Sequence, residues 1–193
     1  KGEGLGNQFL SNIRLTDAIC HVVRCFDDAD ITHVEGSVDP IRDIEIINLE
    51  LIMADLQTIE NRLGKIERKA MTNKDKDALH EVATLKKLQE AFEAGKPARS
   101  VELDEDELAM LKAFSLLTLK PMIYVANMSE EEISDPQANV YYQRVKELAD
   151  SEHNQVVAVC ARIEEELSSL EPEEKKVFLN DLGIAESGLD RVI

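Results

Sequence analysis

A long, regular pattern of apolar residues occupies positions 49–70 of the chain. Apolar side chains recur there at alternating spacings of three and four, which is typical of the contact face of a coiled-coil helix. They are Leu49, Ile52, Leu56, Ile59, Leu63, Ile66 and Ala70. A polar break at residues 72–77 separates them from a second amphipathic stretch with Ala78, Val82, Leu85, Leu88 and Phe92. Because this connection is short, the two stretches predict an antiparallel helical hairpin or two-stranded coiled coil.

Short apolar runs on either side of this hairpin predict β-strands. Residues 18–25, 122–126 and 156–160 are rich in β-branched residues and nearly continuous in apolar character. Such runs are typical of parallel strands buried on both faces of a sheet. A helical pattern through Tyr141, Val145 and Leu148 lies between the last two runs. The strand, helix, strand order predicts an α/β fold, which the hairpin interrupts between the first and second strands.

Capping signals predict where several further helices begin and end. A short helical pattern with Phe9, Leu10 and Ile13 follows a glycine-rich start. Asp104 precedes three acidic residues, as at a helix N-terminus, and Glu171 precedes Pro172 in the same way. Gly95 and Gly183 are expected to follow helix C-termini, where a left-handed residue is common.

Composition narrows the classes of protein to which the chain can belong. Its 39 acidic and 22 basic residues give a net charge of −17, which opposes broad binding to nucleic acid, and no DNA partner is expected. No apolar run approaches the roughly 20 residues that span a bilayer, so no membrane partner is expected. Three cysteines without CxxC spacing favour a reducing cytoplasm.

The segment YVANMSE at residues 124–130 carries the most informative polar residues. It is a predicted strand that ends in an asparagine and an acid, Asn127 and Glu130. Ligands of open α/β sheets bind beyond the carboxyl ends of the strands, where these two side chains would address a base. In the alternative interpretation, Ser129 and Glu132 form a capping box that starts the next helix. The following strand ends in VCAR at residues 159–162, the place of a second base-contacting loop.

Several segments together resemble the Obg-like ATPase (YchF) family. They are KGEGLGNQFL at 1–10, HVVRCF at 21–26, DPIRDIE at 39–45, LTLKP at 117–121 and DLG at 181–183. The resemblance implies a partial Ras-like P-loop NTPase sheet, with parallel strands and flanking helices, and an inserted antiparallel α-helical hairpin. We expect the P-loop and switch regions before Lys1 and a TGS domain after Ile193. The implied domains are a first part of the nucleotide-binding domain at 1–40, the coiled-coil insertion at 41–117 and the second part at 118–193.

The resemblance also implies residues for base recognition. Asn127, Met128 and Glu130 match the family's motif, and Cys160 with Ala161 would close the pocket. GTPases of this class use Asn-Lys-x-Asp, so the methionine and the longer acid here depart from the guanine-selective motif. The resemblance to ATP-preferring members of the family implies ATP in preference to GTP. Because Glu130 can still accept hydrogen bonds from guanine after a small shift, GTP stays open as a partner.

The resemblance assigns the catalytic position to His33, as a residue that orients the attacking water. By itself, a histidine in an acidic loop is more often an exposed residue, although neighbouring acids would raise its pKa. His21 is expected to be a buried histidine with its hydrogen bonds satisfied, and His80 and His153 lack the spacing of a zinc site. Mg2+ would be held by phosphates and by residues that precede Lys1.

Basic residues concentrate near the predicted tip of the hairpin. They are Lys65, Arg68, Lys69, Lys74 and Lys76. One interpretation is ordinary solvated charge on a helical surface. The other is a surface that contacts rRNA or a ribosomal protein, in agreement with the ribosome association that the resemblance implies.

These inferences lead to one main functional hypothesis and two alternatives. The main hypothesis is a cytoplasmic, ribosome-associated ATPase that acts as a regulatory switch, in which this segment alone is expected to be inactive. One alternative is a non-catalytic helical-hairpin module that binds the ribosome or protein partners. The other is a GTP-specific, translation-associated GTPase.

Overall fold

The computed structural model describes residues 6–28, 36–73 and 75–193. Helices and strands alternate along this described chain, and the α/β fold class is confirmed. The strands are β1 (Ile19–Arg24), β2 (Met122–Asn127) and β3 (Gln155–Val159). The helices are α1 (Asn7–Arg14), α2 (Pro40–Asn73), α3 (Lys76–Glu93), α4 (Glu105–Leu111), α5 (Val140–Glu152), α6 (Ala161–Ser168), α7 (Pro172–Asp181) and α8 (Gly188–Val192). Short 3-10 turns lie at Ala98–Ser100, Lys112–Phe114, Leu117–Leu119 and Pro136–Ala138.

The three strands form one parallel sheet in the order β1-β2-β3. β2 and β3 pair in parallel, with Ile123 opposite Gln155 and Asn127 opposite Val159. At the end of β1 the Cys25 N–H donates to the Asn127 carbonyl at 2.8 Å. Parallel pairing brings the carboxyl ends of the strands to one edge of the sheet, where the predicted base-recognition residues lie.

β1 differs from the strand that the sequence predicts. Val22 is 62% exposed and Cys20 is also exposed, whereas Val23 on the opposite face is 1% exposed. Successive side chains of a strand point to opposite faces, so one face of this edge strand is covered within the described chain and the other is open. The prediction that β1 is buried on both faces is therefore wrong for the described chain.

The predicted hairpin is present as α2 and α3. Asp75 caps α3 by accepting hydrogen bonds from the main-chain N–H groups of Asp77 and Ala78. α2 continues through Asn73 and α3 begins at Lys76, so four of the six residues in the predicted polar break are helical. The buried apolar residues near the turn are Ile66, Ala70 and Ala78. Those farther from it are Ile52, Ile59, Leu63, Leu85, Leu88 and Phe92, packed with Ala98, Leu111 and Leu116.

The predicted seam is wrong at its first residue. Leu49 is 53% exposed, whereas Leu51 is 2% exposed and Asp55 is fully buried. α3 ends at Glu93, and toward its own start α2 buries a different face. The heptad pattern thus describes the part of α2 that packs on α3 and does not extend to Leu49.

Asp55 is a buried acid on α2 that the sequence did not lead us to predict. Its Oδ1 accepts a hydrogen bond from the Leu117 N–H at 2.9 Å. Its Oδ2 accepts from the Thr118 N–H at 2.8 Å and from the Thr118 hydroxyl at 2.7 Å. A guanidinium nitrogen of Arg14 lies 3.7 Å from Oδ1. The signal was an acid on the apolar face between Ile52 and Ile59, since a buried carboxylate requires donors.

Most of the predicted helix ends are confirmed. Asp104 caps α4 by accepting a hydrogen bond from the Glu107 N–H at 2.7 Å, which lowers the pKa of Asp104. Glu171 and Glu174 form a reciprocal capping box at the start of α7. Gly95 and Gly183 have φ angles of +74° and +71°, the left-handed conformation that glycine adopts without strain. α1 forms as predicted, but Phe9 on it is 52% exposed.

Residue contacts divide the described chain into two compact units. One contains the described residues up to Ile19 together with Glu45–Pro121, and the other contains those within Cys20–Ile44 together with Met122–Ile193. α2 begins in the second unit and continues in the first. The domain limits that the family resemblance implies, at 40/41 and 117/118, stay a prediction. None of the helices in the described chain has the length and apolar content needed to cross a membrane.

Candidate nucleotide-base site

Asn127 joins the ends of all three strands. Its carbonyl accepts a hydrogen bond from the Cys25 N–H after β1, and its side-chain Oδ1 accepts one from the Ala161 N–H after β3, at 2.9 Å. Its side-chain amide nitrogen has no hydrogen-bond partner among the described residues and keeps two donors. The side chain is therefore fixed through its oxygen and presents N–H groups at the sheet edge.

Met128 is held more tightly than the sequence suggests. Its N–H donates to the Val159 carbonyl at 2.8 Å, so the ladder between β2 and β3 extends one residue beyond the strands. The residue as a whole is 2% exposed. Because the N–H is engaged, a main-chain contact of Met128 with a base falls to its carbonyl oxygen.

Cys160 and Ala161 lie where β3 passes into α6. Cys160 is 3% exposed and precedes the first residue of the helix. Burial raises the pKa of its thiol, an effect that the acids Glu130 and Glu164 reinforce and the N–H groups of Arg162 and Ile163 oppose. Ala161, which is exposed next to this buried neutral thiol, gives the loop an apolar surface that suits the face of a purine.

Glu130 is bound to a residue that sequence analysis quoted without assigning a role. Its Oε1 lies 3.1 Å from Nε of Arg162, the second residue of α6. The side chains of both residues are well exposed, at 42% for Glu130 and 79% for Arg162. The only sequence signal for this pair was the opposite charge of two residues in neighbouring strand-end loops.

The capping-box interpretation of Ser129 and Glu132 is wrong. The Ser129 hydroxyl donates to the Glu132 carboxylate at 2.9 Å, and a turn follows β2. The next α-helix, α5, begins at Val140 and is capped by Asn139, whose Oδ1 accepts from the Tyr142 N–H at 2.8 Å. The Asn139 amide also donates to the Cys25 carbonyl at 2.9 Å, which ties the start of α5 to the end of β1.

His21 is only partly the core histidine that the sequence predicts. Its ring lies on the covered face of β1, 6.0 Å from the Tyr124 ring. Its Nδ1 is buried and has no hydrogen-bond partner among the described residues, so the expectation of a satisfied side chain is wrong. Burial lowers the pKa of His21, and Asp43 opposes that shift.

Two predicted site residues, His33 and Lys74, lie outside the described residues, and their roles stay predictions. The other basic residues near the hairpin turn, Lys65, Arg68, Lys69 and Lys76, are exposed. Farther from the turn, Lys86 pairs with Glu67 at 2.8 Å and Arg62 pairs with Glu81. Within the described chain the four residues near the turn make no such ion pair, so their charge faces solvent.

No group of three or more His, Cys, Asp or Glu side chains converges on a metal position within the described residues. The Mg2+ ligands that the family resemblance implies before Lys1 stay a prediction. A cavity of about 650 Å³ lies among α6, α7 and α8. The described residues that line it include none of the predicted base-recognition residues.

The whole chain is similar to curated bacterial proteins named ribosome-binding ATPase YchF. It is 56% identical to the one from Bacillus subtilis (strain 168) and 46% identical to the one from Escherichia coli O157:H7, over 193 residues that make up 52% of each relative. A solved structure of the Schizosaccharomyces pombe YchF GTPase matches with a TM-score of 0.87 at 35% identity, over all of this chain and 52% of that one. The chain thus spans about half the length of these relatives. No protein-family model matches it.

Proposed function

The chain belongs to the YchF family, and on this premise we propose that it supplies the base-recognition half of a P-loop nucleotide hydrolase that prefers ATP to GTP. The intact protein would act in the cytoplasm as a ribosome-associated switch. The observation that carries the proposal is the placement of Asn127, whose oxygen is bound to Ala161 while its amide N–H groups stay available.

The available groups match the edge of adenine. Adenine presents an N7 acceptor next to an N6 amino donor. The Asn127 amide would donate to N7, and the Met128 carbonyl would accept from the amino group. Ala161, with the buried neutral thiol of Cys160 behind it, would cover one face of the ring. This assignment gives each predicted base-recognition residue except Glu130 a contact with the base.

The phosphate chemistry belongs to residues other than those described. We propose that His33 orients the attacking water, the role that the family resemblance implies for its position. The relatives named as ATPases and the neighbour named as a GTPase support nucleotide hydrolysis and leave the base open. Base preference is therefore the part of the proposal that most needs a direct test.

The first experiment measures ATP and GTP binding to the intact protein by calorimetry at one Mg2+ concentration, beside the 193-residue segment. We expect tighter binding of ATP by the intact protein and very weak binding by the segment. The double variant Met128→Lys/Glu130→Asp should shift the preference toward GTP. Glu131→Asp, an exposed neighbour in the same loop, is the matched control. An ATP:GTP affinity ratio that the double variant leaves unchanged rejects this assignment of the base site.

The hairpin supports a second candidate function, an interaction module for an anionic partner. Four basic side chains near the turn lack ion pairs within the described chain, in a protein whose net charge is −17. Unpaired cations on an acidic protein favour contact with phosphates, since each phosphate contact releases counterions. We propose rRNA as this partner, in keeping with the ribosome binding named for the relatives.

Ribosome cosedimentation over a range of salt concentrations tests the second candidate. The variant Lys65→Gln/Arg68→Gln/Lys69→Gln should weaken binding and lower the salt slope by about one per lost phosphate contact. Removal of three charges elsewhere, with Lys146→Gln/Lys175→Gln/Lys176→Gln, is the control. Equal losses in both variants would indicate a general charge effect and argue against a specific contact at the tip.

A further inference from the structure

Two side chains at the end of β2 and in the loop after it contact the first two residues of α6, which follows β3. These contacts join the two strand-end loops. The first is the hydrogen bond from the Ala161 N–H to Asn127 Oδ1 at 2.9 Å. The second is the ion pair between Arg162 Nε and Glu130 Oε1 at 3.1 Å. Successive residues of α6 thus hold the two polar side chains of the base-recognition motif. The first contact fixes the amide, and the second fixes the carboxylate.

The carboxylate of Glu130 is the group to which a guanine base would donate hydrogen bonds. Guanine offers N1–H and N2–H donors on its pairing edge, which a free carboxylate accepts together. Adenine offers an N1 acceptor there, which a free carboxylate repels. A carboxylate that is already paired with a guanidinium is both partly neutralised and turned toward its partner.

We propose that Arg162 is the positioning residue that sets base preference at this site, because it holds the Glu130 carboxylate away from the guanine edge. The inference rests on the proposed nucleotide function. Arg162 acts through Glu130 and needs no contact with the base. The ion pair spans two separate loops, so its geometry depends on the packing of β2 against β3 as well as on the two side chains.

Nucleotide binding to the intact protein tests the inference. Arg162→Gln removes the guanidinium charge from an exposed position, so the fold should be unaffected. We expect GTP to bind more tightly and the ATP:GTP affinity ratio to fall about fivefold, which corresponds to the upper range for an exposed ion pair. Arg162→Lys should restore most of the ratio. Arg144→Gln, an exposed arginine on α5, is the matched control.

A double-mutant cycle separates this role from a structural one. If Arg162 acts through Glu130, Arg162→Gln changes the ratio in the parent and leaves it unchanged in a Glu130→Gln background. An equal change in both backgrounds, or no change in the parent, overturns the inference. Higher salt should also move the parent ratio toward that of Arg162→Gln, because exposed ion pairs are screened. A parent that binds neither nucleotide refutes the proposed function itself, whereas a parent that binds ATP with an unmoved ratio refutes only the role of Arg162.

Discussion

Two acids in this chain, Asp55 and Glu130, each lie beside an arginine, and their surroundings differ in nearly every respect. Asp55 is fully buried and accepts three hydrogen bonds from Leu117 and Thr118. Glu130 is 42% exposed and has an ion pair with Arg162. The first carboxylate would leave buried donors unsatisfied if it moved, whereas the second can change partner at little cost. The comparison teaches that the acid with the fewer bonds is the one whose position a single neighbouring side chain can control.

Removal of Asp55 should have the largest effect on stability. Asp55→Ala leaves two buried N–H groups without an acceptor and removes the ion pair with Arg14. We expect a loss of about 3–5 kcal/mol in the free energy of unfolding, measured with urea. Asp55→Asn, which keeps one acceptor oxygen, should lose less. Glu60→Ala, at an exposed position on the same helix, should be nearly neutral. A small loss for Asp55→Ala would mean that the buried carboxylate does not organise this unit.

A variant of Asn127 tests whether one side chain at the sheet edge both stabilises the strand ends and contacts the base. Asn127→Ala removes the acceptor for the Ala161 N–H and the amide that would contact the base. We expect ATP binding by the intact protein to weaken about tenfold, equivalent to about 1.4 kcal/mol. Calorimetry provides the measurement, and Asn154→Ala, which lies just before β3 begins and so at the other end of that strand, is a control. If ATP affinity is unchanged, the amide does not contact the base.

The sequence predicted the elements of both regions better than their polar contacts. Apolar periodicity located the helices of the hairpin and the three strands, because burial of a face repeats at the period of the element. Local signals also located Asp104 and Glu171 as caps. The N–H groups that donate to Asp55 lie 62 and 63 residues further along the chain, a separation that no local pattern records. The sequence predicted a helix start at Ser129, where the structure has a turn. The Ser129 hydroxyl donates to the Glu132 side chain and does not accept from the main chain of a helix.

The base site was predicted chiefly from family resemblance. The strand ends were located by pattern, but the roles of Asn127 and Met128 came from matching motifs, and these roles stay predictions. The structure adds that the Met128 N–H is engaged and that Arg162 pairs with Glu130. Neither contact follows from the sequence, since both depend on the register between β2 and β3.

His21 should make the free energy of unfolding depend on pH. The effect is smaller than that of Asn127→Ala and is confined to the pH range below 6.5. Burial lowers its pKa below the ordinary value of 6.5, so the folded protein holds the ring neutral. The stability that the neutral His21 ring contributes is fully present above pH 6.5. It is lost as pH falls from 6.5 toward the lowered pKa, because the unfolded chain takes up the proton first. Urea midpoints between pH 7.5 and 5 should fall less in His21→Gln than in the parent. The control is His80→Gln, at an exposed position. Its urea midpoint should fall over this pH range by as much as that of the parent.

The smallest expected effect completes the comparison with Asp55. Glu130→Ala should change the free energy of unfolding by about 1 kcal/mol at most, because it breaks an exposed ion pair. Urea unfolding under the same conditions as for Asp55→Ala gives the measurement. A loss comparable to that of Asp55→Ala would show that the loop after β2 depends on this pair, and would weaken the case that Glu130 is free to respond to a ligand.

The hairpin unit has a consequence for the order in which the chain folds. The Cys25 N–H pairs with the Asn127 carbonyl, 102 residues later, so β1 and β2 must close a very long loop. Closure of a loop of that size costs about 4 kcal/mol in chain entropy. The helices α2 and α3 contact each other over short separations, and their core includes Leu111 and Leu116 near the start of β2. We therefore expect α2 and α3 to pair early, so that local helix pairing precedes the long-range assembly of the sheet.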